Sequence, residues 1–211
     1  MYSVTSYFYF PKRIPHSFSL YHMSSQMMGR SLKYISPAIV TCHDMIAFRV
    51  KANHPAFTEH MRRKHLAELR RAKAIIFISR HTRDDFLSLF DYREKDTAVI
   101  HHAAGDHFQP RDKKSSRKAL ELPKDRPIIL HVGSEAPRKN IATLLYALHQ
   151  IKQQIPAILF IRIGSQGRRS RELTARLRLE ENISYFKNQP EEKLAKFYNA
   201  ADVFVFPSTY E

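Results

Sequence analysis

A chain of 211 residues, 43% hydrophobic and 26% charged, is long enough to bury a real core, and its composition excludes the disordered and fibrous classes. The single cysteine, Cys42, excludes an intramolecular disulfide, and no cysteine–histidine cluster has the spacing of a structural zinc site. The net charge of +15 predicts an attraction to polyanions, and it is spread along the chain: 16 basic against 8 acidic residues up to Gly105 leave +8, and 19 against 12 in the remainder leave +7.

The opening stretch Met1 to Phe10 is apolar and aromatic, yet no basic residue precedes it and Pro11, Lys12 and Arg13 follow, which is unlike a signal peptide. No window reaches the roughly 20 continuous apolar residues of a membrane-spanning helix. Lone-cysteine usage and the missing span point to a cytoplasmic protein, with peripheral contact at the inner face of the membrane as a further expectation.

Residues 1–37 are the least regular: Phe8, Phe10, Tyr21 and His22 suggest strands and Ser24 to Leu32 a helix. From Ala38 onward, short β-branched runs alternate with charged segments of helical period, the pattern of βαβ units on a parallel sheet. The expected strands are Ala38–Thr41, Ala74–Ile78, Ala98–His101, Pro127–Val132, Ile158–Ile163, Ile183–Phe186 and Val203–Phe206. Several are apolar throughout, as strands covered on both faces must be. Helices are expected over His54–Lys73, His81–Phe90 with Ser79 as cap, Ile141–Gln154, Arg168–Leu179 and Glu191–Ala200 behind Pro190. Between Asp106 and Arg126 the chain turns Pro-, Lys- and Ser-rich, which marks a domain boundary with a short helix near Ser116 to Leu120.

The segment with the clearest chemistry is His131–Asn140, reading His-Val-Gly-Ser-Glu-Ala-Pro-Arg-Lys-Asn between a buried strand and a helix. At the carboxyl end of a parallel strand, Gly133 permits a tight turn and a close backbone approach, while the next helix offers unpaired amides to a phosphate. Arg138 and Lys139 add two cations there, one suited to a two-pronged contact and the other to a point charge. The plainer alternative is a turn glycine followed by a solvated basic pair. Positive charge at a helix start is unfavourable without a compensating anion, and that conflict favours the ligand reading.

The stretch Gly133 to Leu148, with Gly-x4-Arg-Lys-Asn-x3-Leu-Leu-x-Ala-Leu, resembles the donor-phosphate loop of the family-4 retaining glycosyltransferases of the GT-B fold. Tyr198 to Glu211 resembles the strand and loop that lead into that family's Glu-x7-Glu signature. In the first half, Ile39 to Asp44 is similar to the strand and His-Asp pair on the acceptor side, Ala72 to Ser79 to the next strand with its Ser-capped helix, and Val99 to Phe108 to the stretch closing that domain. Ala103 and Ala104 depart from the family's usual Asn or Pro.

The resemblance implies an α/β chain of two Rossmann-like parallel-sheet domains, both incomplete: 1–107 from the acceptor-side domain, 108–126 a linker and 127–211 from the donor-binding domain. It also implies a hexosyltransferase that moves mannose or glucose, with retention, from a nucleotide diphosphate sugar to a glycan or lipid-linked acceptor. By the same resemblance Arg138 and Lys139 bind the donor diphosphate and neutralise the leaving group without a metal, so no cofactor is expected. Gly133 gives the donor room, Glu211 contacts donor-sugar hydroxyls, and His43 lies near sugar and acceptor as a neutral hydrogen-bonding group. Gly164 and Phe186-Lys187-Asn188 match regions around the nucleobase.

Alternatives stay open for single residues: His43 as a packing or capping histidine, Asp44 as a helix cap and Glu211 as a solvated residue. The family's second glutamate would fall eight positions after Glu211, and residues 1–37 lack its opening glycine turn, so the chain is expected to be truncated at both ends and impaired as it stands. Two rival functions remain. One is a basic binder of nucleic acid or anionic surfaces, for which Arg62-Arg63-Lys64 and Arg70-Arg71 supply charge without a nucleic-acid recognition motif; nucleic acid is the less favoured partner. The other is a nucleotide-sugar epimerase of the same fold.

Overall fold

Four short strands lie parallel in the first part of the chain: β1 (Tyr21–Met23), β2 (Ala38–Cys42), β3 (Ala74–Phe77) and β4 (Thr97–Val99), hydrogen-bonded in that order. The computed structural model describes residues 18–50 and 59–211, and the chain divides into two compact units at Ala103/Ala104. Expectations for Met1 to Phe10 and for the start of the His54–Lys73 helix lie outside the described residues. Within them, that helix is α2 (Glu59–Leu69). It ends early because the Lys73 amide is drawn to the Ala38 carbonyl at 2.7 Å, joining the chain to the sheet.

The core of this unit follows strand alternation. Along β2, Ala38, Val40 and Cys42 are buried while Ile39 and Thr41 are half-covered. Phe77 and Phe86 are fully buried, and Phe86 stacks on Phe90 with centroids 4.6 Å apart. Ser79 caps α3 (Arg80–Leu89) as expected, its hydroxyl accepting from the Thr82 amide at 3.0 Å. The expected strand Ala98–His101 is shifted to Thr97–Val99, because β3 ends at Phe77 and the Ile100 amide makes the last bond, to the Phe77 carbonyl at 2.8 Å. Asp44 accepts from the Ile46 amide at 3.0 Å, at the entry to the four-residue α1 (Ile46–Arg49). Burial pushes the Cys42 thiol far above its ordinary pKa, so it stays protonated inside the core.

The second unit begins with α4 (Lys113–Ala119), which lies where the sequence suggests a linker over 108–126. That expectation is corrected by the buried Arg117, whose guanidinium reaches the Ala200 carbonyl at 2.9 Å and Asp202 at 2.7 Å, fastening the segment to the unit. Then come β5 (Ile128–Val132), α5 (Ile141–Gln154), β6 (Leu159–Ile163), α6 (Arg168–Arg176), β7 (Ile183–Phe186), α7 (Glu191–Ala200) and β8 (Val203–Phe204). All four strands are parallel in the order β7-β6-β5-β8. One apolar layer joins Phe160 and Leu179 to Leu144, Leu145 and Leu148 of α5, and a second joins Ile128, Leu130 and Ile161 to Phe197 of α7. With both faces covered, β6 is buried along its whole length.

The chain winds outward from β5 to β7 and then returns to place β8 on the other side of β5. That reversal makes a topological switch point at the carboxyl ends of β5 and β8, where open parallel sheets bind ligands.

His65 of α2 makes the first unit sensitive to acid. Its Nε2 donates to the Gln26 carbonyl at 2.5 Å, and burial holds its pKa down to about 4, outweighing the opposing pull of that carbonyl. A histidine depressed below its unfolded value of about 6.5 contributes stability above that pH, which is lost as pH falls from 6.5 towards 4. We expect the first unit to lose ~3 kcal/mol of unfolding free energy across this window. Hydrogen exchange of the Val40 and Ile75 amides in a pH series checks it, and unchanged protection at pH 4.5 would show that His65 does not control this transition.

Candidate functional site

At the switch point, β5 delivers the chain into a single 3-10 turn, Pro137–Lys139, before α5 begins. Pro137 opens that turn, and Asn140, at φ 55 and ψ 39, closes it in the left-handed conformation that asparagine tolerates. Arg138 and Lys139 therefore sit in a separate turn ahead of the helix, one step earlier than a direct strand-to-helix junction suggests.

Both cations converge on one carboxylate. Arg138 Nη1 lies 2.7 Å from Glu211 Oε2, and Lys139 Nζ lies 2.5 Å from Glu211 Oε1. The anion that a basic pair needs at this place is supplied in the structure by the chain's own Glu211. Burial works to raise the Glu211 pKa, but hydrogen bonds from Lys139 and Arg138 outweigh it and hold the carboxyl below its usual range. Lys139 is itself buried, and its ammonium stands 4.4 Å from the centre of the Phe206 ring.

Residues after β8 are tied to the same turn. Thr209 N donates to the Arg138 carbonyl at 2.8 Å, Asn140 Nδ2 to the Pro207 carbonyl at 3.3 Å and Arg138 Nη1 to the Tyr210 carbonyl at 3.3 Å.

Gly133 and Gly164 bring the next two loops together. The Gly133 amide bonds to the Ile163 carbonyl at 2.9 Å and the Gly164 amide to the Phe186 carbonyl at 2.8 Å, carrying the ladders past the strand ends. Gly164, at φ +144, stands so close to its neighbour that a Cβ would lie 2.0 Å from the Gly133 carbonyl oxygen. A Cβ on Gly133 would lie 3.3 Å from His131 Nε2. The buried His131 ring donates from Nδ1 to the Val205 carbonyl at 2.9 Å, and burial lowers its pKa, so it is held neutral beneath the loop.

The structure thus gathers Gly133, Arg138, Lys139, Gly164 and Glu211 at the carboxyl edge of one sheet. His43 belongs to the first unit, directly after β2. Its amide donates to Gln26 Oε1 at 3.1 Å, its Nε2 to the Ser24 carbonyl at 2.7 Å, and its ring lies 5.5 Å from that of His102.

One contributor escapes sequence reasoning. Arg162, fully buried in β6, donates to the Gly133 carbonyl at 3.1 Å, the Ser134 carbonyl at 3.3 Å and Glu135 Oε1 at 2.9 Å. The available signal was a charged residue inside the otherwise apolar run Leu159-Phe160-Ile161-Arg162-Ile163.

These features define a parallel α/β unit with a cationic turn at its switch point. Residues 112–211 match the family described as Glycosyl transferases group 1, and residues 6–104 match Glycosyltransferase Family 4. The chain is 30% identical over 181 residues to the O-antigen chain mannosyltransferase B of Escherichia coli, covering 82% of this chain and 48% of that protein. It is 28% identical over 192 residues to the serotype-specific mannosyltransferase WbdA of Escherichia coli, covering 82% and 23%. Among solved structures, sucrose-phosphate synthase from Thermosynechococcus elongatus superposes with a TM-score of 0.76 at 25% identity, covering 92% of this chain and 51% of that one. The chain spans about half or less of the length of these relatives. It belongs to the family-4, GT-B-type glycosyltransferases, with a parallel-sheet unit matching each of the two family parts.

Replacing Gly164 by alanine forces a Cβ into the Gly133 carbonyl and a strained backbone on the new residue. We expect a loss of about 3 kcal/mol or more from the second unit, read by urea denaturation. Unchanged stability would mean that the two loops are free to separate.

Proposed function

We propose that this chain serves the transfer of a hexose from a nucleoside diphosphate sugar to a glycan or lipid-linked acceptor, with retention at the anomeric carbon. The observation that carries the reading is the convergence of Arg138 and Lys139 on a single carboxylate. A diphosphate offers more negative charge and more oxygens than one carboxylate, so it competes favourably for the same two cations. As the sugar–phosphate bond breaks, charge grows on the leaving diphosphate, and preorganised cations stabilise that charge where it develops. Mannose is favoured as the donor sugar because relatives covering 82% of the chain are named mannosyltransferases.

Glu211 then has two successive roles. It pairs with the cations while no diphosphate is present. Once displaced, its carboxylate is free to accept hydrogen bonds from hydroxyls of the sugar. His43 fits the acceptor side: its Nε2 donates to the Ser24 carbonyl, which leaves Nδ1 to meet a hydroxyl. Among the described residues no helix is long and apolar enough to cross a membrane. The exposed Lys64 and Arg70, with Arg63 beside them, suit contact with an anionic surface that carries a lipid-linked acceptor.

The double replacement of Arg138 and Lys139 by alanine is expected to weaken GDP or UDP binding at least ~100-fold, since each charge-assisted contact contributes about 1.5–3 kcal/mol. Calorimetric titration checks this, and parent-like affinity in the variant would remove the basis of the reading. Glu211→Gln should leave nucleoside diphosphate affinity equal or higher while lowering affinity for GDP-mannose; equal losses for both ligands would contradict the two-role account of Glu211.

A further inference from the structure

Arg162 is a guanidinium sealed inside a parallel sheet, between apolar neighbours on the same strand. Placing a charge there is unfavourable unless it is paired; Nη1 and Nη2 have partners, and Nε has none among the described residues. Glu135 supplies a counter-ion at 2.9 Å, and Glu135 is itself held near the start of α6, where a Cβ on Gly167 would lie 3.2 Å from its Oε2. Charge neutralisation alone would need only that carboxylate. The fork also takes the carbonyls of two successive residues, Gly133 at 3.1 Å and Ser134 at 3.3 Å.

Those two bonds fix the loop's polarity. In a planar trans peptide, the carbonyl of one residue and the amide N–H of the next point in opposite directions. Turning the Gly133 and Ser134 carbonyls inward to Arg162 therefore turns the Ser134 and Glu135 amides away from it. Neither amide has a hydrogen-bond partner among the described residues. Successive outward amides form a nest for an anion, whereas the flipped peptides would present carbonyl oxygens and repel one.

We propose that Arg162 is a positioning residue for the donor site: from inside β6 it orients the Gly133 and Ser134 peptides so that the Ser134 and Glu135 amides face the donor diphosphate. The inference rests on the donor reading of the Arg138–Lys139 turn and adds to it a backbone contribution controlled from the strand beneath. Arg162 itself does not touch the ligand.

Arg162→Met alone strands Glu135 and risks unfolding, so the informative variant is Arg162→Met combined with Glu135→Gln in the 211-residue chain, with Arg162→Lys alongside. Amide NMR without ligand and calorimetric titration with UDP and GDP supply the readouts. In the double variant we expect displaced Ser134 and Glu135 amide resonances, a melting temperature close to the parent's, and at least tenfold weaker diphosphate binding. Arg162→Lys, which restores the charge without the fork, should recover part of that affinity. A double variant with parent-like amide positions or parent-like affinity would overturn the proposal, because removing the charge pair would then have been harmless. Should the parent chain bind neither diphosphate, the donor reading falls and this inference with it. That outcome is distinct from the failure of Arg162 alone, in which parent and variant bind equally.

Discussion

The second unit is organised around cations that leave water at the carboxyl end of a parallel sheet. Lys139 and Arg162 are buried and Arg138 is nearly so, and a low-dielectric setting makes each of them costly without an anion close by. Glu135 balances Arg162, and Glu211 is shared by Arg138 and Lys139. Three cations thus face two carboxylates, which leaves one formal positive charge at this edge of the sheet. If Glu211 withdraws, two are left, and a ligand carrying a diphosphate restores the balance.

That excess is sustained by rigidity at the opposite end of the strands. Asp202, at the entry to β8, accepts from the Ile128 amide and Arg117 at 2.7 Å each and from Lys113 at 2.8 Å, so the amino ends of β5 and β8 are locked to α4. Burial would raise the pKa of Asp202, but the bonds from Lys113 and Ile128 and the charge of Arg117 keep it below its ordinary value, and the lock stays charged at neutral pH. With the amino ends fixed, the carboxyl ends of the same strands hold the loops in place. The site occupies the side of the sheet where backbone amides and dipoles favour anions.

Much of this was legible in sequence because the relevant signals are local. The strand Ile183–Phe186 and the helices Ile141–Gln154 and Glu191–Ala200 have the bounds expected from β-branched runs, a helical period and Pro190. The basic pair stood out because its placement conflicts with the helix dipole. What could not be read depends on distant partners. Nothing local to 108–126 says that Arg117 is buried against Asp202, 85 positions on, so a Pro- and Lys-rich stretch reads as a linker. β1 has only three residues: Tyr21 and His22 read as strand-like in sequence, and its pairing with β2 fixes its bounds. Arg162 was visible only as a break in an apolar run, and its meaning depends on where the loop after β5 folds back.

The two units also differ in the polar groups at the carboxyl ends of their sheets. In the second, the polar groups are charged: Arg138 and Lys139 pair with Glu211, and Arg162 with Glu135. In the first, the polar groups near the carboxyl end of the sheet include imidazoles and hydroxyls beside the Asp44 carboxylate: His22 shares a hydrogen bond of 2.8 Å with Thr41, His43 donates to the Ser24 carbonyl, and His101 Nδ1 donates to the Ile78 carbonyl at 3.1 Å. A ring that donates through one nitrogen to a carbonyl keeps a lone pair on the other, which suits hydroxyl-bearing ligands and does little for phosphates. A diphosphate suits the fixed positive charge of the second unit.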